Sequence, residues 1–593
     1  MGHANIRLFR AGFIAPASRA SRIVCRLAHH LGADAARHKQ RSTKPGPAAL
    51  PTSEDTFDFI IVGAGSAGCA LAYRLTESGR YRVLLLEAGE DDQWIWLKVP
   101  TGIARVVVGE RALRRYSTEI EPGLGGRPLF WPRGRVTGGT ATINGMFWVR
   151  GDPAEYDHWR DLGNAGWAYS DVAPVFRRME SYAGGDPAVR GRDGPLAITE
   201  YGPRDPLTDA FLKACGEAGF AENPDYNGGR YAGGGLMQLS TRRGFRFGVR
   251  EGYLYPALKR ANLKLVTAAL ATRVLFDGAR ACGIEYRQGG ITRSARAARE
   301  TILCAGSVQS PQLLELSGIG GAALLARHGI GLRHDAPGVG ENLRDHLQAR
   351  LMVEVRGLAT LNSILRSPWA KMRMGARWLI HRDGLMSVPG ATAHAYVSTL
   401  PGLTRPDIKL QLHHLSSPDE RNPKRLVLDD NDGFSIGVVQ QQPESRGSIH
   451  IRSADPLASP EIRANYLTHE NDISTVVRGL KLARRVSRQA AFKPYYVQEL
   501  RPGPALQSDA DFESYIRASI FGSYHPVGTC RMGVDAGAVV DPRLRVYGVA
   551  RLRVADASIL PTIPASNTNA AAILAGEKAA DYILADAAGS VAN

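Results

Sequence analysis

Apolar residues first gather in short, unbroken runs. Phe57-Asp-Phe-Ile-Ile-Val62 is apolar at five of six positions, the pattern of a strand buried on both faces. The run breaks at Gly63-Ala-Gly-Ser-Ala-Gly68, and the period then changes. Leu71, Ala72 and Leu75 share one face of a helix predicted over 69–78, with Gly79 as its stop. A second buried strand, 81–86, ends at Glu87. Further on, 264–268, 272–276 and 282–286 read as short strands, with Asp277-Gly278 a hairpin turn. Another buried strand, 300–304, leads through Ala305-Gly-Ser-Val-Gln-Ser-Pro311 into a helix predicted over 312–317. An amphipathic helix is predicted over 472–490, a strand over 552–555 and a closing helix over 570–586. Strands and helices alternating in this way predict an α/β fold. Its first lobe is interrupted after residue 152 and resumes near residue 265. Residues 347–445 have few glycine-rich loops and a basic helical segment at 371–382, and predict a separate lobe.

The break after the first strand carries chemistry. Gly63, Gly65 and Gly68 spell G-x-G-x-x-G between a strand and a helix, and Glu87 closes the next strand 19 residues after Gly68. That is the context of a dinucleotide-binding βαβ unit. Gly63 permits the tight turn, Gly65 lets the backbone approach a pyrophosphate, and Gly68 lets the helix lie close on the strand. The loop amides and helix N-terminus are expected to hold the diphosphate, and Glu87 a ribose hydroxyl. No second G-x-G-x-x-G of this kind follows, which argues against a pyridine-nucleotide flavoprotein reductase.

The chain has 593 residues and a net charge of +17. Residues 1–52 hold nine Lys/Arg and one acid, Asp34, so nearly half of the charge sits there. The rest is spread without long runs, which argues against nucleic-acid binding and allows at most peripheral association with a membrane. No apolar stretch reaches the ~18 residues of a spanning helix. Six cysteines are scattered with no metal-like spacing, so a reduced, cytoplasmic protein is expected. Residues 1–52 read as a basic extension. A mitochondrial transit peptide or a wrongly chosen start codon are the alternatives.

Three later stretches hold candidate site residues. In Trp131-Pro-Arg-Gly-Arg-Val-Thr-Gly-Gly-Thr-Ala-Thr-Ile-Asn-Gly-Met146, the pair Gly138-Gly139 suggests a backbone close to a ligand or a plain turn. In Phe521-Gly-Ser-Tyr-His-Pro-Val-Gly528, His525 precedes a proline and so sits on extended backbone. It is a structural histidine or a general base. Asp556 closes a strand. Asn567, Thr568 and Asn569 stand ahead of the last helix, either as caps or where its positive end faces a developing negative charge.

These stretches, with Gly306-Ser-Val-Gln-Ser-Pro-Gln-Leu-Leu-Glu-Leu-Ser-Gly-Ile-Gly320 and Pro337-Gly-Val-Gly-Glu-Asn-Leu-Arg-Asp-His346, resemble the glucose–methanol–choline (GMC) family of flavin oxidoreductases. The resemblance runs over 55–583 and is nearest to the choline- and alcohol-dehydrogenase branch. It implies a Rossmann-type FAD-binding domain and a discontinuous α+β substrate-binding domain. Residues 53–346 are then mainly FAD-binding, 347–520 form the substrate lobe, 521–586 return with the catalytic residues, and 587–593 form a tail. It further implies that Gly63, Gly65, Ser66, Ala67, Gly68 and Glu87 bind the ADP half of FAD, and that Val274 meets the adenine through its backbone. Val136, Gly139, Asn144, Gly145 and Met146 lie along the diphosphate and flavin, and Asp556 and Asn569 near the ribityl chain and pyrimidine ring. His525 is the base and Asn567 its partner.

The sequence departs from the family pattern at Thr137 and Ala141, both expected close to the flavin. Some relatives tether FAD through a histidine where Ile143 stands, so FAD is expected to be non-covalent. The implied reaction oxidises an alcohol to an aldehyde or ketone, His525 taking the hydroxyl proton while hydride passes to flavin N5. Electrons then go to a quinone or other carrier. The alternatives are an oxidase using O2 and a redox-silent lyase of the hydroxynitrile type. No metal is expected. The alcohol is not legible, although a choline site calls for an acid or an aromatic cage, with Trp369, Trp378 and Tyr396 as regional candidates.

Overall fold

The structure, a computed structural model, describes residues 56–418 and 427–589. The basic segment 1–52 and residues 590–593 of the tail lie outside the described residues. The glycine motif sits where its pattern demands. β1 (Thr56–Val62) runs into α1 (Ser66–Thr76), and β2 (Val83–Leu86) returns beside β1. β3 (Leu263–Val266) then adds to the far edge of β2, followed by β4 (Ala269–Asp277), β5 (Arg280–Gln288), β6 (Ile291–Leu303) and α2 (Gly306–Leu316). The order β3-β2-β1-β6 is parallel, with Phe59 opposite Val83 and Ile61 opposite Ile302. β5 pairs antiparallel with the first half of β6, and β4 pairs antiparallel with β5.

Two of these elements exceed the reading from sequence. β6 begins nine residues before the predicted position 300, at Ile291. Its first half is a half-exposed hairpin arm whose arginines and serine conceal the strand from a search for apolar runs. α2 starts at Gly306 and continues through Pro311 instead of starting after it. A proline removes the hydrogen bond to the carbonyl four residues back. Here that carbonyl, on Ser307, accepts from Thr529 Oγ1 at 2.7 Å.

A second sheet follows from β7 (Leu347–Val355), β8 (Ala391–Val397), β9 (Ile408–His413) and β10 (Gly433–Gln440). The helix α3 (Glu470–Ser487) packs on it, and β11 (Tyr496–Arg501) and β12 (Phe521–Gly522) both pair with β7. The antiparallel order is β11-β7-β10-β9-β8, extended at its far edge by the strand Gly233–Leu236. One face carries Leu347, Leu351, Ile408, Leu410, Leu412, Ile436 and Val438 against Val476 and Leu480 of α3. Side chains alternate along a strand, so the opposite face holds Gln348, Arg350, Lys409, Gln411 and His413. This polar face becomes a wall of the main cavity.

The chain then rejoins the first sheet through β13 (Leu552–Val554), parallel to β6, and ends in α4 (Asn569–Gly589). α4 lies tight against α1: a Cβ on Gly576 would stand 2.3 Å from the carbonyl oxygen of Ala67. The buried Glu577 locks the pair, taking Arg74 at 3.0 Å, Arg178 at 2.9 Å and the Tyr253 hydroxyl at 2.7 Å. Among the described residues, no helix is long and apolar enough to cross a membrane, no cluster of potential metal ligands occurs, and five cysteines are free.

Candidate active site

One cavity runs from the glycine loop to His525. At its first end the chain folds back on itself closely. A Cβ on Gly63 would meet Cys304 O at 2.4 Å, and one on Gly68 would meet Gly63 O at 1.9 Å. Gly65 differs, because no atom lies within 4 Å of where its Cβ would stand; that direction opens into the cavity. Ser66 and Ala67 of α1, Gly306 and Ser307 of α2, and Asn569 of α4 all line the space. Three helix N-termini therefore point their positive ends at one volume. Ser66 Oγ donates to Asn569 Oδ1 at 2.8 Å, joining two of them. Glu87 is buried, with its carboxylate taking the Ala64 amide at 3.0 Å and the Gly89 amide at 2.8 Å. Burial raises its pKa to about 7. An unobstructed Gly65, converging helix dipoles and a buried acid beside the second strand are the fittings of a dinucleotide with a diphosphate. The residues present fit FAD.

Gly139, Asn144, Gly145 and Met146 line the same cavity. Asn144 is held by Arg246, whose Nη1 reaches Asn144 Oδ1 and whose Nη2 reaches its carbonyl, both at 2.7 Å. Arg246 is buried, and burial lowers its pKa to about 10. Asp556 is fixed by the Gly306 amide at 2.8 Å and Ser310 Oγ at 2.5 Å. Two expected contacts need correction. Val274 does not reach the cavity; its N–H donates to Ser317 Oγ at 2.9 Å, and the strand's lining residues are Ala269, Leu270 and Ala271. Val136 is likewise off the cavity, packed with Leu97, Val106 and Ile143. Gly68 acts through packing alone. Thr137 turns away to Asp91 at 2.6 Å, so this departure does not face the cavity, nor does Ala141. Ile143 does line it.

At the far end, hydrogen bonds set the state of His525. His346 Nε2 lies 2.9 Å from the carbonyl of Gln441, which can only accept. His346 Nε2 therefore carries a proton. Burial lowers the pKa of His346 to about 4, so its Nδ1 is bare. That Nδ1 lies 3.1 Å from His525 Nδ1, which must be the donor. The remaining nitrogen of His525, Nε2, then keeps its lone pair. It accepts from Asn567 Nδ2 at 3.1 Å, and Asn567 Oδ1 accepts from Lys409 Nζ at 2.9 Å. The His525 pKa is held well below the ordinary imidazole value by burial, aided by His346, Lys409 and Arg133. The result is a neutral imidazole whose unprotonated nitrogen lies at the cavity, with Asn567 Nδ2 as its donor.

The backbone under it is constrained. Tyr524 has φ 63°, unusual without glycine and worth ~1–3 kcal/mol of strain. Arg133 grips the Tyr524 carbonyl at 2.9 Å, and the His525 amide donates to Asp345 Oδ1 at 2.6 Å. Asp345 is buried, also takes the Tyr466 hydroxyl, and has its pKa raised to about 6 by burial.

Residue-by-residue reading missed His346, Lys409, Gln441, Arg246 and Asp345 as parts of the site. A signal existed for Lys409, since Ile408-Lys-Leu-Gln-Leu-His413 alternates and puts Lys409, Gln411 and His413 on one face. His346 ends a motif that had carried only family resemblance. The aromatic candidates fail. Trp369 is 76% exposed, Trp378 donates to Gly244 O, and Tyr396 is buried against Tyr231; none lines the cavity.

A doubly wound dinucleotide lobe, a polar sheet face over it and a bare imidazole nitrogen between them define a cofactor-dependent oxidoreductase site. The family model described as GMC oxidoreductase matches residues 57–348, and a second of the same description matches residues 443–576. The chain belongs to the GMC oxidoreductase family, and its cofactor is FAD. It is 44% identical over 534 residues to an oxygen-dependent choline dehydrogenase of Brucella anthropi, covering 89% of this chain and 95% of the relative. A relative of the same name from Rhizobium etli is 42% identical over 529 residues, with the same coverage. Among solved structures, pyridoxine 4-oxidase from Mesorbium loti superposes with a TM-score of 0.79 at 29% identity, covering 88% of this chain and 98% of that one. Formate oxidase from Aspergillus oryzae superposes with a TM-score of 0.83 at 25% identity, over 90% and 98%.

Proposed function

We propose that this protein oxidises an alcohol to an aldehyde or ketone with FAD, using His525 as base and Asn567 to position the substrate oxygen. The observation that carries the reading is the directed chain from Gln441 O through His346 to His525, which leaves Nε2 of His525 unprotonated at the cavity. A neutral alcohol holds its proton too tightly to lose it at neutral pH. Its carbon resists losing hydride while the oxygen stays protonated. Taking the proton at Nε2 removes both obstacles together, a contribution of typically ~100- to 10,000-fold. Asn567 donates from Nδ2 toward the same point, and its orientation is set by Lys409 at Oδ1. When bound, FAD supplies the two-electron acceptor. Non-covalent binding of FAD accords with Ile143, which lines the cavity and has no nucleophilic atom. The electrons then pass to a quinone or another carrier, with O2 as the alternative.

The test is anaerobic mixing of the FAD-loaded protein with an alcohol panel. Loss of the oxidised flavin spectrum is expected. Reoxidation by a quinone with little peroxide identifies a dehydrogenase, and stoichiometric peroxide in air an oxidase. If no alcohol bleaches the flavin while a cyanohydrin releases aldehyde, the reaction is a lyase and the proposal fails.

The pH dependence has a definite sign. His525 acts as base only when neutral, and burial with His346, Lys409 and Arg133 nearby disfavours its protonation. The acid limb of kcat/KM for an uncharged alcohol is therefore expected below the ordinary imidazole value of about 6.5. A limb at or above 7 contradicts this environment.

A further inference from the structure

The substrate end of the cavity is unusual in charge. Its polar wall comes from β7 and β9 and presents Gln348, Arg350, Lys409, Gln411 and His413. Among the described residues, two carboxylates line the cavity, Glu87 and Asp556, and both stand elsewhere, beside the glycine loop and β2 and at the start of α2. Lys409 is 3% exposed; among the described residues no carboxylate pairs with it, and its sole hydrogen-bond acceptor is Asn567 Oδ1. An ammonium offers three donors, so two remain. Among the described residues, the side-chain amide of Gln411 makes no hydrogen bond and that of Gln348 reaches His413 alone, at 3.4 Å. Burial without a counter-ion lowers the Lys409 pKa to about 7, and an anion bound beside it would restore the charged form. Its Nζ also lies over the rings of Phe147 and Tyr396, at 5.3 and 5.6 Å, and the side chain stands in the cavity wall beside idle amide donors.

We infer that the substrate is an alcohol that also carries a carboxylate, bound by Lys409 with the amides of Gln411 and Gln348. This rests on the alcohol-oxidation reading and adds the substrate class. The spacing narrows it further. Only the Asn567 amide separates Lys409 Nζ from His525 Nε2, so the carboxylate lies near the reacting carbon, as in a short 2- or 3-hydroxy acid. The carbinol carbon gives up a hydride and its two electrons to the flavin, and the hydroxyl gives its proton to His525. A C=O bond replaces the C–H and O–H bonds, and the product is an oxo acid. A quaternary-ammonium alcohol such as choline meets the opposite field. Like charge in a poorly solvated pocket disfavours it by ~10- to 100-fold. The curated relatives are named for choline, so this chain departs from them in the charge it accepts.

The experiment uses the full-length, FAD-loaded protein. Anaerobic flavin reduction is followed with 2-hydroxybutanoate, 3-hydroxybutanoate, 1-butanol and choline. Propanoate, which has no hydroxyl to oxidise, is titrated by calorimetry. One hydroxy acid is expected to exceed both butanol and choline in kcat/KM by tenfold or more, and propanoate to bind at the same site in competition with it. In Lys409→Met, butanol is expected to lose kcat because Asn567 Oδ1 loses its donor, whereas the hydroxy-acid kcat/KM is expected to fall at least tenfold further than that of butanol, through KM, and the propanoate Kd to weaken by a comparable factor. Choline equal to or better than the hydroxy acids overturns the inference. So does a uniform loss on all alcohols in Lys409→Met with propanoate binding unchanged, which makes Lys409 only a support for Asn567. Should Lys409→Met not fold, the ranking and propanoate titration on the unaltered protein decide. If no alcohol reduces the flavin, the oxidation reading fails, and the propanoate titration alone decides whether the anion site exists.

Discussion

His525→Ala is expected to keep yellow, bound FAD and to lose alcohol-dependent flavin reduction by ~100- to 10,000-fold in rate. The loss belongs in the reduction step and not in cofactor binding, because the glycine loop, Glu87, Asp556 and Asn569 surround the other parts of the cavity and none of them hydrogen-bonds to the imidazole. Stopped-flow reduction under anaerobic conditions, with the flavin absorbance of the purified protein as control, separates the two. Normal bleaching by the variant would remove His525 from the role of base. A variant purified without flavin would instead point to a structural role for the imidazole between His346 and Asn567. His525→Gln provides a useful companion. Its amide can still hydrogen-bond to His346 but has no basic nitrogen, so it is expected to fold and bind FAD as well as the parent and to remain slow.

The second large effect separates two glycines of one motif. A methyl at Gly68 would stand 1.9 Å from the carbonyl oxygen of Gly63, and both partners are backbone, so neither can rotate away. α1 would have to lift from the loop and with it from α4, which is packed against Ala67. Gly68→Ala is expected to destabilise the fold by ~3 kcal/mol or more, the upper part of the range for overpacking, and to yield little soluble protein. At Gly65 the backbone is extended (φ −83°, ψ −159°), open to any residue, and nothing lies within 4 Å of the added methyl. Gly65→Ala is therefore expected to fold with the apo-protein melting temperature unchanged and to lose FAD affinity severely, since the methyl would occupy the path of the diphosphate. Melting curves with and without added FAD, together with the flavin content after gel filtration, check both. Retention of FAD by Gly65→Ala would show that the cofactor does not approach this loop. Normal stability of Gly68→Ala would show that α1 sits less tightly than described.

Much of the dinucleotide lobe was legible because its determinants are local. A strand buried on both faces must be continuously apolar, a tight turn needs glycine, and an acid at the next strand end follows from the length of one helix. The same logic found α1, β2 and α4 to within a few residues. It missed the first half of β6, where one face meets solvent and apolar runs vanish. It misjudged α2, because a proline usually starts or breaks a helix. Whether it does so here depends on Thr529, more than 200 residues downstream, taking the orphaned carbonyl.

The site divides along the same line. Sequence by itself determined the class of cofactor-binding turn, the acid that closes the second strand, and, through family resemblance, His525 and Asn567 as partners. It could not determine which nitrogen of His525 holds the proton. That depends on Gln441, His346 and Lys409, which come from three different strands or loops and meet only when the second sheet is laid over the first lobe. Nor could sequence decide that Val274 points into the core while Ala271 faces the cavity, because which residues of a strand face a cavity is set by what packs above it. The charge of the substrate end is likewise a tertiary property. Lysine is common and usually solvated; Lys409 is informative only because the fold buries it in a cavity wall, pairs it with no carboxylate among the described residues, and leaves it N–H donors beyond the one that Asn567 takes.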